Sequence, residues 1–140
     1  MTMIVDLFSR PLFWVVVVAA IAIIAVVLMA ARPQAQAAAL SNVSVQQLHA
    51  AANAGALVLD VREPFEFAEG RVPGSLLVPL DTVATRAGEF PKDEPVYVVC
   101  RSGNRSLLAA RTLAEAGYTD VRNVEGGMIA WAAQRLPVER

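Results

Sequence analysis

The residue of this sequence best suited to covalent chemistry is Cys100, the single cysteine among 140 residues. Cys100 ends an apolar run, Val96–Val99, and is followed by a polar segment and then by a Leu- and Ala-rich stretch of helical type. This order predicts a strand, a short loop and a helix, with one sulfur at the mouth of the turn. Backbone N–H groups of the loop and the positive end of the helix dipole would favour the thiolate, which is a nucleophile.

The polar segment after Cys100 supplies the groups that such a nucleophile needs. Six loop residues are candidates for binding a substrate or a sulfur intermediate: Arg101, Ser102, Gly103, Asn104, Arg105 and Ser106. Their backbone N–H groups are expected to converge on the sulfur, the glycine permits the backbone to turn, and the two arginines would hold an anion. An unpaired cysteine at a strand end is commonly a small buried hydrophobe. Such a residue does not require a basic, hydrogen-bonding loop, so the loop favours catalysis.

A second pair of polar residues follows another predicted strand. Leu57–Val61 is an apolar run of strand length, with Asp60 and Arg62 at its carboxyl end. Apolar strands that alternate with helices predict an α/β fold with a mostly parallel central sheet flanked by helices. Because ligands bind beyond the carboxyl ends of such strands, Asp60 and Arg62 are expected near Cys100, as supports rather than substrate contacts. Arg62 is expected to pair with one of three glutamates: Glu63, Glu66 or Glu69.

Caps and spacing predict the remaining elements. Ser44 and Gln47 form the pattern of a capping box for a helix that ends near Gly55. Three further elements are expected: a helix that Asp81 caps and that runs through Phe90, a strand over Asp120–Val124, and a final helix after Gly126 and Gly127 that carries Trp131. His49, the single histidine, lies on the first of these helices and is assigned no role.

The N-terminal part of the chain has a different character. Leu12–Ala31 is a continuous apolar segment of about twenty residues, enough at 1.5 Å per residue to cross a hydrocarbon core of roughly 30 Å. We therefore predict one transmembrane helix, at about 12–31, within residues 1–32. A cleaved secretory signal is the alternative, because Ala35-Gln36-Ala37 offers a small-x-small cleavage pattern. Arg10 lies before this segment and Arg32 after it, so the positive-inside rule, which places basic residues on the cytoplasmic side, does not decide the orientation. A free amino terminus slightly favours a cytoplasmic N-terminus and therefore an extracytoplasmic domain.

The rest of the chain is expected to form one domain. Residues 33–41 are predicted to be a linker, and residues 42–140 are enough for one modest core. The formal net charge is −1, from 12 basic and 13 acidic residues that are interspersed along the chain. This balance argues against nucleic acid as a partner, because such proteins carry a basic patch or stripe.

Four segments, in order, closely resemble a single-domain rhodanese. They are Leu59–Glu63, Glu66-Phe67 with Gly70–Ser75, Val99–Ser106, and Asn123–Met128 with Ala130-Trp131 and Leu136–Val138. The resemblance spans nearly all of residues 42–138 and implies the rhodanese-like α/β fold, a mostly parallel sheet flanked by helices. One departure lies outside the sulfur loop, where Arg71 occupies a position that is histidine in many members.

The resemblance implies sulfur transfer. The Cys100 thiolate would attack the outer sulfur of thiosulfate or a similar small-molecule donor, form a persulfide, and release sulfite when thiosulfate is the donor. A thiol or a protein cysteine would then accept the sulfur. No metal or organic cofactor is expected, because sulfur itself is the electrophile and then the nucleophile. The N-terminal helix adds the membrane as a partner of the enzyme.

Two alternatives to this enzyme remain open. One is a membrane-tethered persulfide carrier or binding module with little turnover on small donors. The other is a cysteine phosphatase, since cell-cycle phosphatases share the rhodanese fold and use a loop that runs from Cys to Arg. Their loop has five residues between the two, whereas Cys100 and Arg105 enclose four. The shorter loop suits a single sulfur better than a tetrahedral phosphate.

Overall fold

The computed structural model describes residues 11–140, so Arg10, on which the orientation prediction depends, lies outside the described residues. The chain divides into two units, Met1–Ala35 and Gln36–Arg140. The first described helix, α1 (Pro11–Ala39), continues through most of the predicted linker. Its Phe13–Ala30 window has a mean hydropathy of 3.1 and is not buried. Length and composition suit a membrane span, but a signal sequence shares them, so the span stays a prediction.

Within the described residues, one sheet contains five parallel strands in the order β1-β5-β4-β2-β3. The strands are β1 (Leu40–Val43), β2 (Leu57–Asp60), β3 (Leu76–Leu77), β4 (Val96–Val99) and β5 (Val121–Val124). Because all the strands run in one direction, their carboxyl ends lie at the same edge of the sheet. The predicted α/β fold with a parallel central sheet is confirmed, and it places Cys100 at the end of the central strand, β4.

Four short or medium helices connect these strands, and a fifth follows β5. They are α2 (Val45–Asn53), α3 (Pro64–Glu69), α4 (Val83–Arg86), α5 (Asn104–Glu115) and α6 (Gly127–Ala133). The predicted capping box begins α2, since the Gln47 N–H donates to Ser44 Oγ and the Ser44 N–H donates to Gln47 Oε1. This exchange satisfies two N–H groups that have no partner within the helix.

The sheet is covered on both faces, and β4 shows how. All four of its residues are buried, and successive side chains point to opposite faces. Val96 and Val98 belong to one apolar cluster, which also contains Cys100 and residues of α5. Tyr97 and Val99 belong to a second cluster, which contains Trp131 of α6. The apolar run before Cys100 therefore anchors this residue, itself a member of the first cluster, at the buried end of β4.

The helix expected from Asp81 to Phe90 is wrong in its cap and its length. A 3-10 turn (Leu80–Thr82) precedes the single-turn helix α4, and Asp81 lies inside that turn. The Tyr118 hydroxyl donates to the backbone carbonyls of Ala87, at 2.7 Å, and Phe90, at 3.2 Å. These carbonyls bind a distant side chain instead of continuing a helix, which local sequence does not reveal.

Candidate active site

The loop after β4 wraps around the sulfur of Cys100. The backbone N–H of Gly103 donates to Sγ at 3.1 Å, and Ser106 Oγ lies 3.4 Å from Sγ. Gly103 has a φ of +101° and directly precedes α5, so it makes the left-handed turn that aims its own N–H at the sulfur. The predicted turn at Gly103 is confirmed.

Two opposing effects act on the thiol of Cys100. Its complete burial raises the pKa, because a charged sulfur loses hydration. The Ser106 hydroxyl, when its proton is directed at Sγ, and the backbone N–H groups of Ser106, Gly103 and Ser102 act in the other direction by hydrogen bonding to the sulfur. The hydrogen bonds prevail, and the pKa of Cys100 lies below its ordinary value. The loop therefore favours a thiolate despite the buried position.

Helix α6 holds the outer side of this loop. The Met128 N–H donates to the Cys100 carbonyl at 2.8 Å, and the Ile129 N–H donates to the Arg101 carbonyl at 3.0 Å. These bonds use the free N–H groups of the first turn of α6 and turn two loop carbonyls away from the sulfur. A Cβ at Gly127 would lie 2.3 Å from the Cys100 carbonyl oxygen. Only glycine permits this approach, which sequence reasoning did not identify.

Asp60 and Arg62 form a buried ion pair at the end of the neighbouring strand. The Arg62 guanidinium donates to both carboxylate oxygens of Asp60, at 2.7 to 3.0 Å, and also to the Gly70 carbonyl at 2.8 Å. The expectation that Arg62 pairs with one of the nearby glutamates is wrong. Asp60 and Arg62 are two residues apart in extended chain, so their side chains project to the same side. The supporting roles assigned to both residues stay a prediction.

Arg105 is held by a residue from another element. Its guanidinium donates to the two carboxylate oxygens of Glu66, on α3, at 2.7 and 2.8 Å. This hydrogen bonding lowers the pKa of Glu66 from 4.5 to about 2. The bidentate pair ties the start of α5 to α3. It also uses two donors of Arg105 that a substrate anion would need, and substrate binding by this residue stays a prediction.

An open cavity of about 510 Å³ lies beside the loop. Its walls come from α3, α6, the end of β2 and the loop itself: Arg62, Phe65, Glu66, Glu69, Arg101, Met128, Ile129 and Ala132. Arg101 is exposed and lines this space, as do the exposed side chains of Phe65 and Ile129. Arg101 is therefore the loop arginine placed to meet a small anion in the cavity, while Ser102 and Asn104 are exposed at the loop surface.

A chain of hydrogen-bonded polar side chains reaches the sulfur from the sheet side. The Ser106 hydroxyl donates to Asn123 Oδ1, on β5, at 2.6 Å, and Asn123 Nδ2 donates to Asn42 Oδ1, on β1, at 3.1 Å. Sequence reasoning singled out neither asparagine. A signal was available for Asn123, which is an amide residue in a strand, β5, that begins and ends with valine.

Within the described residues, no three His, Cys, Asp or Glu side chains gather as metal ligands do. His49 lies on α2, where its Nε2 is 3.2 Å from Asn53 Nδ2 and its ring meets that of Trp131 edge to face. The polar groups around Cys100 are thus backbone amides, hydroxyls and guanidinium groups. Such donors stabilise an anionic sulfur and attract an anionic donor.

Known proteins share this arrangement at the level of sequence and fold. The rhodanese-like domain profile matches residues 44–134. A sulfurtransferase of Allochromatium vinosum is 44% identical over 82 residues, 59% of this chain and 77% of that protein. The chloroplastic thiosulfate sulfurtransferase 16 of Arabidopsis thaliana is 35% identical and is covered to 92%, against 71% of this chain. A rhodanese-related crystal structure from Thermoplasma volcanium is 33% identical, with a TM-score of 0.64, covering 70% of this chain and 96% of that one.

Proposed function

The chain belongs to the rhodanese-like domain family, and on this premise we propose that it is a sulfurtransferase acting through a persulfide on Cys100. The observation that carries the proposal is the Gly103 N–H bond to Sγ, at 3.1 Å, in a loop whose hydrogen bonds lower the pKa of this thiol. The sulfurtransferase names of the two relatives support the same reaction. The donor we propose is thiosulfate or another small molecule with a sulfane sulfur.

The reaction has two balanced steps. In the first, the Cys100 thiolate forms a bond to the outer sulfur of thiosulfate, and the S–S bond of thiosulfate breaks with its electron pair leaving on sulfite. In the second, a thiophilic acceptor such as cyanide or a thiolate attacks the outer persulfide sulfur. The S–S bond of the persulfide breaks, and its electron pair returns to the sulfur of Cys100, which is again a thiolate.

The cavity lining carries two arginines and two glutamates, and Arg101 is the member of this set that supports an anionic donor. Arg101 and Arg62 both line it. Arg62 is committed to Asp60 through three of its contacts, and Arg105 is committed to Glu66. We therefore assign the sulfonate end of thiosulfate to Arg101 in the first place, with the N–H groups of the loop receiving the transferred sulfur.

The test is thiocyanate production from thiosulfate and cyanide by the full chain. We expect turnover, and we expect Cys100→Ser to abolish it, since an alkoxide is not available at neutral pH. Asn53→Ala, an exposed change on α2, is the control for handling and folding. Turnover that survives in Cys100→Ser would contradict the proposal.

The same preparation separates the two alternatives. A persulfide on Cys100, seen as one added sulfur atom in the intact mass, without thiocyanate turnover would favour a carrier. Phosphate release from an aryl phosphate would favour a phosphatase. The four-residue spacing between Cys100 and Arg105, and the pairing of Arg105 with Glu66, argue against the larger phosphate.

We further propose that α1 tethers the domain to a membrane. The Phe13–Ala30 window has the length and hydropathy for one span. Resistance of the full chain to alkaline extraction from membranes would support a tether, whereas release of a shortened chain into the soluble fraction would mean a cleaved signal. A reporter fused after Arg140 would show on which side the domain lies.

A further inference from the structure

The Ser106 hydroxyl has one proton and two neighbours that can accept it. Asn123 Oδ1 is 2.6 Å from Ser106 Oγ, and Cys100 Sγ is 3.4 Å from it. In the arrangement observed, the shorter bond takes the proton. Ser106 then offers the sulfur only lone pairs, which suit a thiol that donates its own S–H and not a thiolate. If the sulfur ionises in this place, the Ser106 hydroxyl must turn its proton from Asn123 Oδ1 toward Sγ.

The orientation of the Asn123 amide decides where that proton goes. Asn123 Oδ1 faces Ser106 because Nδ2 donates to Asn42 Oδ1 at 3.1 Å. If the amide turned over, its Nδ2 would donate to Ser106 Oγ, and the hydroxyl proton would be free to bond the sulfur. The oxygen and nitrogen of a side-chain amide are nearly equal in size, so the exchange needs almost no movement of other atoms.

The sheet makes this reversal inexpensive. Asn42 and Asn123 are register partners on the adjacent parallel strands β1 and β5, which keeps their amides side by side. Asn123 is 4% exposed, so it must keep its hydrogen bonds, but Asn42 is exposed and can turn its amide with water as its other partner. Turning both amides together preserves every bond of the chain and reverses its direction.

We propose that Asn42, Asn123 and Ser106 form a reversible hydrogen-bond relay that accepts from Cys100 as a thiol and donates to it as a thiolate. In this relay Asn123 and Asn42 are positioning residues that act on the sulfur through Ser106. The relay turns toward the sulfur when Cys100 ionises and turns back when Sγ becomes the neutral inner sulfur of the persulfide. The inference rests on the proposed role of Cys100 as nucleophile.

Three charged residues near the sulfur, Asp60, Arg62 and Arg105, are already paired. Arg105 interacts electrostatically with Cys100 and is bonded to Glu66. Asp60 and Arg62, at the end of β2, are bonded to each other. Every buried side-chain nitrogen and oxygen that the structure describes has a partner. The relay is therefore the adjustable element beside Cys100, because its members can exchange donor and acceptor roles without losing a bond.

The decisive variant is Asn42→Asp. A carboxylate only accepts hydrogen bonds, so at position 42 it would hold Asn123 Nδ2 as its donor. Asn123 Oδ1 would then keep facing Ser106, and the Ser106 hydroxyl would keep donating to this oxygen and not to the sulfur. We expect the pKa of Cys100 to rise by about one unit, a roughly tenfold loss of thiolate at a pH below that pKa. Asn42→Ala does not lock the amide and should leave the pKa near its parent value.

The measurement is the pH dependence of iodoacetamide alkylation of the full chain, in which Cys100 is the single cysteine. Ser41→Asp, on the same strand and exposed, adds a carboxylate without joining the relay and should not reproduce the shift. In a Ser106→Ala background the effect of Asn42→Asp should disappear, because the link to the sulfur is gone.

Three results would overturn the relay. One is an unchanged alkylation midpoint in Asn42→Asp, another is an equal shift in Ser41→Asp, and the third is a shift that persists in the Ser106→Ala background. Alkylation uses no sulfur donor, so its outcome is independent of thiocyanate turnover. If the shift is observed without turnover, the relay is supported and the sulfurtransferase proposal is contradicted. If turnover is observed without the shift, only the relay is contradicted.

Discussion

Gly127 offers the sharpest test of how the loop around Cys100 is held. Its φ is +51°, and an added Cβ would lie 2.3 Å from the Cys100 carbonyl oxygen and 2.7 Å from the carbonyl carbon and oxygen of Arg101. All three are backbone atoms, so no flexible side chain can move aside. Gly127→Ala must therefore separate α6 from the active-site loop. That movement would break the bonds from the N–H groups of Met128 and Ile129 to the loop carbonyls.

Gly55→Ala is the matched control, because Gly55 also has a positive φ, +83°, but has open space around its Cβ position. Left-handed backbone costs a non-glycine residue about 1–2 kcal/mol, and both variants carry this cost. Forcing a methyl group into a packed contact adds about 1–3 kcal/mol, and only Gly127→Ala carries that. We expect Gly127→Ala to lose about 2–5 kcal/mol of unfolding free energy, more than Gly55→Ala loses.

Urea denaturation of the full chain, followed by circular dichroism, measures both losses, and the alkylation rate of Cys100 reports on the loop. We expect Gly127→Ala to change that rate and Gly55→Ala to leave it at the parent value. Equal losses of stability in the two variants, together with equal alkylation rates, would refute the argument that close approach at Gly127 shapes the loop.

Two further variants probe the charged groups. Glu66→Gln should lower the unfolding free energy at pH 7 by about 1 kcal/mol, because it removes the charged partner of Arg105. Folding lowers the pKa of Glu66 from 4.5 to about 2, so its contribution is complete above pH 4.5 and is lost as the pH falls toward 2. Denaturation at several pH values should show the difference from the parent closing in that window; a constant difference would contradict it. Arg101→Ala should raise KM for thiosulfate about tenfold with little change in kcat, as loss of ground-state binding does. The exposed Arg111→Ala on α5 is its control, and equal KM values in the two variants would remove Arg101 from the donor site.

Local sequence predicted the elements whose causes lie within a few residues. The capping box of Ser44 and Gln47 is closed between residues three positions apart. Val96–Val99 forms a strand buried on both faces because all four residues are apolar. Gly103 turns the loop because glycine tolerates positive φ. From these pieces follow the α/β class, the position of Cys100 at a strand end and the amides directed at its sulfur.

Contacts between distant residues escaped the same reasoning. Asn42 and Asn123 are 81 positions apart, and Glu66 and Arg105 are 39 apart. Strand order brings the first pair together, and the packing of α3 beside the loop brings the second. Three glutamates near Arg62 in the sequence were plausible partners for it, and only the geometry at the end of β2 selects Asp60 instead.

The sequence by itself determined the candidate nucleophile, the loop that surrounds it and the class of fold, because hydrophobic period, glycine torsion and helix caps act over a few residues. Only the tertiary structure decided which partners hold that loop. Glu66 engages Arg105, α6 approaches through Gly127, and two asparagines reach the sulfur through Ser106. Each of these contacts depends on the three-dimensional order of strands and helices, and a hydrogen bond requires a geometry that composition and spacing do not specify.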